Sequence, residues 1–118
     1  MIVYGIPNCD TVKKATTWLK THNITFEFHD YKTKGISKKK LKEWCKHFGW
    51  ENVLNKNSTT FKELSTEEQE SITNEAAAIN LMMEKTSSIK RPIVEFEGKY
   101  LIRFKEEEYT KNLLHKVL

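Results

Sequence analysis

The segment that decides the fold is Met1–Lys14, MIVYGIPNCDTVKK. Its apolar opening, Met1–Tyr4, predicts a buried strand, and the residues after Cys9 have the spacing of a helix. Cys9 therefore lies at a strand-to-helix turn, where backbone N–H groups and the helix dipole favour negative charge. Both effects lower the pKa of a thiol and favour the thiolate, which is its reactive form. This position makes Cys9 a candidate nucleophile, and an inert, buried cysteine is the alternative.

Length and composition bound the class of protein. With 118 residues, 38% hydrophobic and 31% charged, the chain predicts one domain with a core of its own. Because neither a membrane-length apolar run nor a signal-peptide pattern is seen, we expect a cytoplasmic protein that does not bind membranes. The net charge of +4 permits weak attraction to anions. The basic run Lys38–Lys42 lacks interleaved aromatics and predicts a solvated helix face, so we expect no direct binding of nucleic acid.

The two cysteines, Cys9 and Cys45, do not form a disulfide framework or a C-x-x-C pair, because Val12 stands three residues after Cys9. Cys45 lies on the apolar stripe of a predicted helix, which indicates core packing. No Cys/His cluster has zinc-ligand spacing, so we expect no metal. Two of the 20 basic residues are arginines, Arg91 and Arg103. Their rigid forks suit oxyanions and carboxylates, and surface ion pairing is the alternative.

The first third of the chain predicts a βαβ unit. A strand at Ile2–Ile6 is followed by a helix over Thr11–Thr21, which Asp10 can cap, and by a second strand at Thr25–Tyr31. Strand, helix and strand within such a short segment imply a parallel pair with a right-handed crossover.

The middle of the chain predicts a helical block. Ser37 can cap a helix that Gly49 ends, and Asn52–Thr60 is polar and typical of a loop. Ser65 and Glu68 fit a capping box that opens a further helix. The apolar face of that helix is predicted from four residues: Ile72, Ala76, Ile79 and Met83.

The last third predicts a ββα unit. Strands at Ile93–Phe96 and Tyr100–Phe104 flank a Glu97–Lys99 turn, and a final helix follows, with Tyr109, Leu113, Leu114 and Val117 on its apolar face. Without the middle block, the order is the βαβ–ββα order of a thioredoxin-like α/β domain with a mixed four-stranded sheet. We predict a single domain over 1–118, with the core at about 1–36 and 87–118 and a helical insertion at about 37–86. We also expect a monomer.

Taken together, the chain resembles the arsenate reductase/Spx-like family of thioredoxin-fold proteins, and most of all its branch with the Asn-Cys-Asp-Thr signature. The residues that carry the resemblance run through the whole chain in order: Val3–Thr11, Lys13–Ala15, Trp18–Leu19, Leu54–Lys56, Thr59–Phe61, Ile89–Ile93 and Phe104–Glu106. In thioredoxin-like folds, a cis-proline at the position of Pro92 faces the reactive cysteine.

The resemblance implies an arsenate reductase-like thiol oxidoreductase in which Cys9 is the nucleophile. In true arsenate reductases the thiolate attacks the arsenic oxyanion, and glutathione and glutaredoxin complete the reduction. We therefore expect no bound cofactor, glutathione as co-substrate, and a low-molecular-weight thiol or glutaredoxin as partner. Six residues are the expected substrate- or thiol-binding set: Asn8, Thr11, Lys13, Arg91, Pro92 and Arg103.

The match to true arsenate reductases is partial. Those enzymes have an arginine where this chain has Lys13, a histidine where it has Gly5, and a second anion-binding arginine at about Asn57. The arginine before the proline is retained as Arg91, and the third arginine falls around Arg103–Lys105. Because a pocket that loses cations binds a dianion less well, we expect thiol–disulfide chemistry ahead of arsenate reduction, with either a mixed disulfide or a thiol–oxyanion adduct formed on Cys9.

Two alternatives remain open. Spx-like relatives are stress regulators that bind the C-terminal domain of the RNA polymerase α-subunit and sense redox through a C-x-x-C pair, which Val12 breaks here. A regulator that does not use that pair is the second hypothesis. The third is a non-catalytic remnant, in which the pKa of Cys9 would have its ordinary value of about 8.5.

Overall fold

The computed structural model describes residues 1–114. The chain divides into two compact units. The first is formed by Met1–Asp30 together with the chain from Arg91 onward, and the second is Tyr31–Lys90. The predicted insertion, at about 37–86, falls inside the second unit, and the single-domain organisation stays a prediction.

The first unit is built on a mixed four-stranded sheet. Its strands are β1 (Ile2–Gly5), β2 (Glu27–Asp30), β3 (Ile93–Phe96) and β4 (Lys99–Ile102), in the order β2-β1-β3-β4. The pair β1 and β2 is parallel, whereas β3 is antiparallel to both β1 and β4. The predicted mixed sheet is confirmed, and its βαβ–ββα order places the C-terminal end of β1 beside the start of α1.

Helix α1 (Asp10–Thr21) covers this sheet because its apolar residues recur every three or four positions. Val12, Ala15 and Leu19 are buried, and Trp18 packs edge-on against Tyr109 with ring centroids 5.6 Å apart. Eight residues form the buried cluster of the unit: Val3, Ala15, Trp18, Leu19, Val94, Leu101, Tyr109 and Leu113. This packing fixes the direction in which the N-terminus of α1 points.

Two predictions at the edges of the βαβ unit were wrong. Asp10 is the first residue of α1 and Cys9 is its N-cap, with an extended backbone at φ −119° and ψ 126°. Strand β2 is shorter than the predicted Thr25–Tyr31, because Tyr31 opens a short helix, α2 (Tyr31–Lys34). The Tyr31 ring is fully buried and its hydroxyl donates to the carbonyl of Ile89 at 3.2 Å, which the helical turn allows.

The second unit is helical, as predicted. Helix α3 (Lys38–Phe48) begins at Ser37, whose Oγ accepts from the Lys40 N–H at 3.1 Å, and Gly49 ends it with φ at +88°. Both the Ser37 cap and the Gly49 stop are confirmed. Four short segments follow: α4 (Trp50–Val53), α5 (Thr59–Lys62), α6 (Thr66–Ser71) and α7 (Glu75–Glu84), with a 3-10 turn at Thr86–Ser88.

The helix predicted to run on from Ser65 is in fact two helices. The Ser65–Glu68 capping box opens α6 as predicted. The chain then leaves helical geometry at Ile72, and Asn74 caps α7 by accepting from the Ala77 N–H at 2.9 Å. Of the predicted apolar face, Ala76 and Met83 are exposed and Ile72 is half-buried, whereas four residues of α7 are buried: Ala78, Ile79, Leu81 and Met82.

The predicted loop Asn52–Thr60 is more ordered than its polar composition suggests. Leu54 forms an isolated bridge with Ile89, and Asn55 and Ser58 are buried. The Ser58 hydroxyl donates to the backbone carbonyl of Asn55 at 2.7 Å and accepts from the Phe61 N–H, so this buried side chain bonds to the backbone of its own segment. The loop prediction holds for residues 55–58, which lie outside every helix and strand, whereas residues 52–53 end α4 and residues 59–60 begin α5.

The C-terminal part of the first unit is a hairpin followed by a helical segment. The hairpin is confirmed, and its two-residue turn places Glu97 and Gly98 at positive φ, 46° and 75°. Helix α8 (Glu106–Tyr109) continues as a π turn over 110–114. Val117 of the predicted apolar face lies outside the described residues. Within residues 1–114, no helix is long and apolar enough to cross a membrane.

Candidate active site

Cys9 stands at the N-terminus of α1 and is partly exposed to solvent. Strand β1 ends at Gly5, and the short turn Ile6–Asn8 delivers Cys9 to the capping position. Its carbonyl oxygen accepts from the Lys13 N–H at 2.9 Å, which is the first hydrogen bond of the helix. The side chain therefore projects where the N–H groups of the first turn have no partner within the helix.

The pKa of the Cys9 thiol is lower than that of an ordinary cysteine. Partial burial of the sulfur works in the opposite direction, because it disfavours the charged form. The backbone of Val12, the Arg91 side chain and the backbone of Thr11 favour the thiolate and outweigh the burial, and the positive charge of Arg91 adds to their effect. The site thus favours a thiolate, which is the nucleophilic form of cysteine.

The segment Arg91–Pro92 brings the guanidinium to the cysteine. The peptide bond between the two residues is cis, and Pro92 is buried at the start of β3. The Pro92 carbonyl accepts from the Arg103 N–H at 2.8 Å, which ties this segment to the end of β4. Of the predicted site residues, the structure thus brings Thr11 and Arg91 to the Cys9 sulfur, with Pro92 next to Arg91 in the chain.

Arg103 is held by its backbone. It adopts a positive φ of 61°, and its carbonyl accepts from the Tyr109 hydroxyl at 2.6 Å. Its side chain is half-buried, and Arg103 is not among the groups that shift the pKa of Cys9. The predicted role of Arg103 as an anion-binding residue stays a prediction.

Asn8 and Lys13 flank the cysteine and are both exposed. Asn8 precedes it in the turn, and Lys13 lies one helical turn after it. Neither residue is among the groups that shift the pKa of Cys9, so their predicted roles in binding substrate or thiol stay predictions.

Gly5 has a packing role that the sequence did not reveal. A Cβ atom added to Gly5 would lie 2.9 Å from Cγ2 of Val12 and 3.7 Å from Cε1 of Phe28. The space beside the strand end is therefore filled by Val12, and a histidine at position 5 would not fit. A β-branched residue on the buried side of α1, facing a strand glycine, is the sequence signal that could have indicated this contact.

Cys45 belongs to the core of the second unit, as predicted. It lies on α3 with 3% of its surface exposed. Burial, together with the negative charge of Glu75, raises the pKa of its thiol to about 11. Cys45 therefore stays protonated near neutral pH and is a poor nucleophile.

No cluster with the composition of a metal site is found in the part of the chain that the structure describes. Within residues 1–114, no three His, Cys, Asp or Glu side chains come together closely enough to hold an ion.

Comparison with known proteins identifies the family. The model of the ArsC family matches residues 4–112, so this chain belongs to the ArsC family. The YffB protein has a solved structure that superposes with a TM-score of 0.91 at 45% identity, covering 95% of this chain and 97% of that one. An arsenate reductase (ArsC) related protein from Brucella melitensis superposes with a TM-score of 0.74 at 40% identity, covering 94% and 92% of the two chains.

A regulator is also among the relatives. The global transcriptional regulator Spx from Lactiplantibacillus plantarum is 28% identical, over 99% of this chain and 89% of its own length. Together the matches confirm the predicted arsenate reductase/Spx-like family and its thioredoxin-like α/β fold.

Proposed function

We propose that this protein is a cytoplasmic, thiol-dependent reductase of the arsenate reductase-like kind, with Cys9 as its nucleophile and glutathione as its co-substrate. The observation that carries the proposal is the environment of Cys9, where two backbone N–H groups and the Arg91 guanidinium lower the pKa of the thiol. Membership of the ArsC family and its similarity to an arsenate reductase related protein support the same chemistry.

The proposed reaction begins with attack of the Cys9 thiolate on one sulfur of a disulfide substrate. A new S–S bond forms between Cys9 and that sulfur, and the second sulfur leaves as a thiolate that takes a proton from solvent. A glutathione thiolate then attacks the substrate sulfur of the mixed disulfide, so that Cys9 is released as a thiolate and a glutathione–substrate disulfide forms. A second glutathione reduces that disulfide and becomes part of oxidised glutathione. Each turnover reduces one disulfide and oxidises two glutathione molecules.

The surrounding residues have distinct proposed roles. The N–H groups of Thr11 and Val12 stabilise the thiolate before attack and again when it leaves. Arg91 adds a positive charge and a two-pronged donor that suits the carboxylate of glutathione. Asn8 and Lys13, which flank Cys9 and are exposed, are proposed to contact the incoming thiol or substrate. Pro92 and Arg103, joined through the Pro92 carbonyl, are proposed to complete this binding surface.

An external thiol is proposed because the chain offers no second reactive thiol. The sequence holds two cysteines. Cys45 is buried, and its raised pKa, about 11, keeps it from acting as a resolving thiolate near neutral pH. A low-molecular-weight thiol, or a glutaredoxin that reduces the mixed disulfide on Cys9, is therefore the proposed partner.

Disulfides are preferred to arsenate in this proposal. Gly5, which Val12 packs against, leaves no room for a histidine, and Lys13 offers a point charge where an arginine would offer a fork. Asn57 supplies no charge at the position of the second anion-binding arginine. The remaining cation beside the sulfur, Arg91, suits a monoanionic carboxylate as well as an oxyanion.

The test is glutathione-dependent reduction of bis(hydroxyethyl) disulfide, followed as NADPH consumption with glutathione reductase present. We expect Cys9→Ser to abolish turnover and Cys45→Ala, the matched control that removes the other thiol, to retain it. Mass spectrometry of the wild type after exposure to oxidised glutathione should show one added glutathione, and peptide mapping should locate it on Cys9. Undiminished turnover in Cys9→Ser would refute the proposal.

A second candidate function is supported by the similarity to Spx over nearly the whole chain. In that case the protein would be a transcriptional regulator that binds the C-terminal domain of the RNA polymerase α-subunit. A pull-down with that domain separates the two candidates. Retention of the domain by both wild type and Cys9→Ser, combined with absence of disulfide turnover, would favour the regulator.

A further inference from the structure

A groove runs along one side of α1 in the first unit, between the helix and the segment that leads into β2. Its volume is about 570 Å³, within the range of small-molecule sites. Six of its lining residues carry the argument: Val12, Lys13, Lys20, Ile24, Phe26 and Phe28. We call it the α1–β2 groove.

The sequence pattern explains why these residues share one surface. Lys13, Thr16 and Lys20 are spaced by three and four positions, so they lie on one face of α1. Ile24, Phe26 and Phe28 alternate along an extended segment, so their side chains point to the same side. The intervening Glu27 is exposed and, by the same alternation, belongs to the opposite side.

The floor of the α1–β2 groove is apolar and only partly covered. Ile24, Phe26 and Phe28 pack against the core of the unit but stay half-buried. Side-chain atoms of both Val12 and Phe28 lie within 4 Å of the place that a Cβ on Gly5 would take. An apolar ligand that covered these side chains would gain free energy from the area it removes from water.

The charged side chains that line the groove are all positive. Lys13 and Lys20 lie about 10 Å apart along the helix axis, because seven residues separate them. Among the described residues that line the groove, none is Asp or Glu. The Thr16 hydroxyl donates to the carbonyls of Val12 and Lys13, so the two ammonium groups are the charged donors facing a ligand. An apolar molecule with an anionic group matches both features of the surface.

The near end of the groove adjoins the proposed nucleophile. Pro7, which lines the groove, lies two residues before Cys9, and the Lys13 N–H donates to the Cys9 carbonyl. We propose that the α1–β2 groove is the substrate-recognition site for an organic disulfide whose apolar body carries a carboxylate. This inference rests on the proposed function, because Cys9 performs the chemistry.

The reaction with such a substrate is a thiol–disulfide exchange. The Cys9 thiolate attacks the sulfur that bears the group held in the groove, a Cys9–substrate S–S bond forms, and the other half leaves as a thiolate. Glutathione thiolate then breaks the new bond and carries the substrate half away as a mixed disulfide. A second glutathione reduces that disulfide, so two glutathione molecules are oxidised for each disulfide reduced.

The test compares three disulfides in a Cys45→Ala background, where Cys9 is the one thiol. Dithiobis(nitrobenzoate) is aromatic and anionic, dithiodipyridine is aromatic and uncharged, and bis(hydroxyethyl) disulfide is neither aromatic nor charged. Each second-order rate constant is divided by that of free glutathione with the same disulfide, which removes the effect of the leaving group. We expect the normalised rate constant to be highest for dithiobis(nitrobenzoate).

Two lysine variants test the charge. Lys20→Gln should lower the normalised rate constant for dithiobis(nitrobenzoate) about two- to fivefold, as expected for one exposed ion pair, and the loss should shrink in high salt. Dithiodipyridine should react with the variant as fast as before. The matched control is Lys14→Gln, which removes an exposed lysine of α1 that does not line the groove. Equal losses in Lys20→Gln and Lys14→Gln, or an equal loss with dithiodipyridine, would overturn the inference.

A third variant tests the apolar floor. Phe26→Ala should slow both aromatic disulfides about three- to tenfold and leave bis(hydroxyethyl) disulfide unchanged. Circular dichroism tests whether the Phe26→Ala variant is folded. If it is unfolded, the comparison of Lys20→Gln with Lys14→Gln alone tests the groove. Equal slowing of all three disulfides in the folded variant would count against the groove.

Binding without chemistry separates this inference from the proposed function. Naphthoate, titrated into the Cys9→Ser protein, should shift the amide NMR signals of Lys20 and Phe26. NMR shifts at the groove, combined with no glutathione-dependent turnover by the wild type, would refute the proposed function and support the binding site. Turnover by the wild type, combined with no NMR shifts on addition of naphthoate and no effect of Lys20→Gln, would refute the binding site and leave the proposed function standing.

Discussion

Replacement of Arg91 by methionine tests the electrostatics of the thiolate directly. Arg91 acts on the Cys9 sulfur in two ways, through a hydrogen bond and through its charge, and both lower the pKa of the thiol. Arg91→Met keeps a side chain of similar length and removes both effects. We therefore expect the pKa of Cys9 to rise in this variant.

The expected size follows from the partial exposure of the site. A hydrogen bond to a charged group contributes about 1.5–3 kcal/mol when shielded from water. Solvent screening of the partly exposed Cys9 reduces this to about 1 kcal/mol, or about fivefold in the thiol–thiolate equilibrium. Because a more basic thiolate is also a better nucleophile, about twofold is recovered. Alkylation of Cys9 should then be about two- to threefold slower at low pH and about twofold faster at high pH.

The assay is the pH dependence of the iodoacetamide reaction in a Cys45→Ala background. Arg91→Lys keeps the charge but loses the fork, so its profile should lie between those of the wild type and Arg91→Met. Arg103→Met is the matched control, because Arg103 is joined to the same segment through the Pro92 carbonyl and does not act on the Cys9 pKa. Its profile should superpose on that of the wild type.

The pH profiles of alkylation for Arg91→Met and for the wild type should cross. This crossing is the result that supports the electrostatic account of the site. Superposed profiles would show that Arg91 does not stabilise the thiolate. A uniform decrease at every pH would indicate loss of access or of structure rather than a change in pKa. Either result would refute the electrostatic account of the site.

Stability measurements and thiol counting give four further tests. Gly5→Ala places a Cβ 2.9 Å from Val12, so the free energy of unfolding in urea should fall by about 1–3 kcal/mol, and Val12→Ala should restore much of it; an unchanged stability would contradict the packing. A thiol reagent should titrate one cysteine in the native protein and two in urea. Because the pKa of Cys45 is raised from 9.0 to about 11 on folding, stability should fall between about pH 9 and pH 11 by about 2 kcal/mol more in the wild type than in Cys45→Ala; parallel curves would contradict this. Tyr109→Phe removes the 2.6 Å hydrogen bond to the Arg103 carbonyl and should lower stability by about 1 kcal/mol, whereas an unchanged urea midpoint would show that the bond contributes nothing.

The elements of the first unit could be predicted because their signals are local. The apolar residues of α1 recur at helical spacing, and the Glu97–Gly98 turn between two apolar runs indicates a hairpin whatever surrounds it. The ends were less certain, since a residue can serve two elements. Tyr31 is an apolar, strand-compatible residue directly after β2, yet its burial and its bond to Ile89 place it in α2.

The second unit shows where periodicity misleads. Ile72 and Ala76 fit one helical stripe, so the pattern joined α6 to α7 although the chain breaks between them. Asn74 was a readable signal, because an asparagine followed by Glu75 is typical of a helix N-terminus. A residue that can cap a helix, such as Asn74, therefore indicates a helix boundary even where the apolar residues continue at helical spacing.

The sequence predicts the part of the site that Cys9 and its turn form, but not the part that Arg91 forms. The position of Cys9 at a strand-to-helix turn predicts a stabilised thiolate from the sequence alone, and the structure adds that Cys9 is itself the cap. The hydrogen bond from Arg91 comes from a distant part of the chain, which no local pattern reveals. The α1–β2 groove was missed because Phe26 and Phe28 are also what a buried strand requires, and only their partial exposure distinguishes a binding surface from core.

One departure from the arsenate reductase pattern and one from the Spx-like pattern belong to a single packing arrangement. The chain has Gly5 where those enzymes have histidine, and Val12 where a C-x-x-C protein has its second cysteine. Cγ2 of Val12 fills the space that a side chain at position 5 would need. A histidine could return only if residue 12 became smaller, and a cysteine at position 12 would leave a gap above Gly5. The contact that excludes an oxyanion-binding histidine is therefore made by the same residue that denies Cys9 a neighbouring thiol, and both effects support the proposal of a single reactive cysteine that uses an outside thiol.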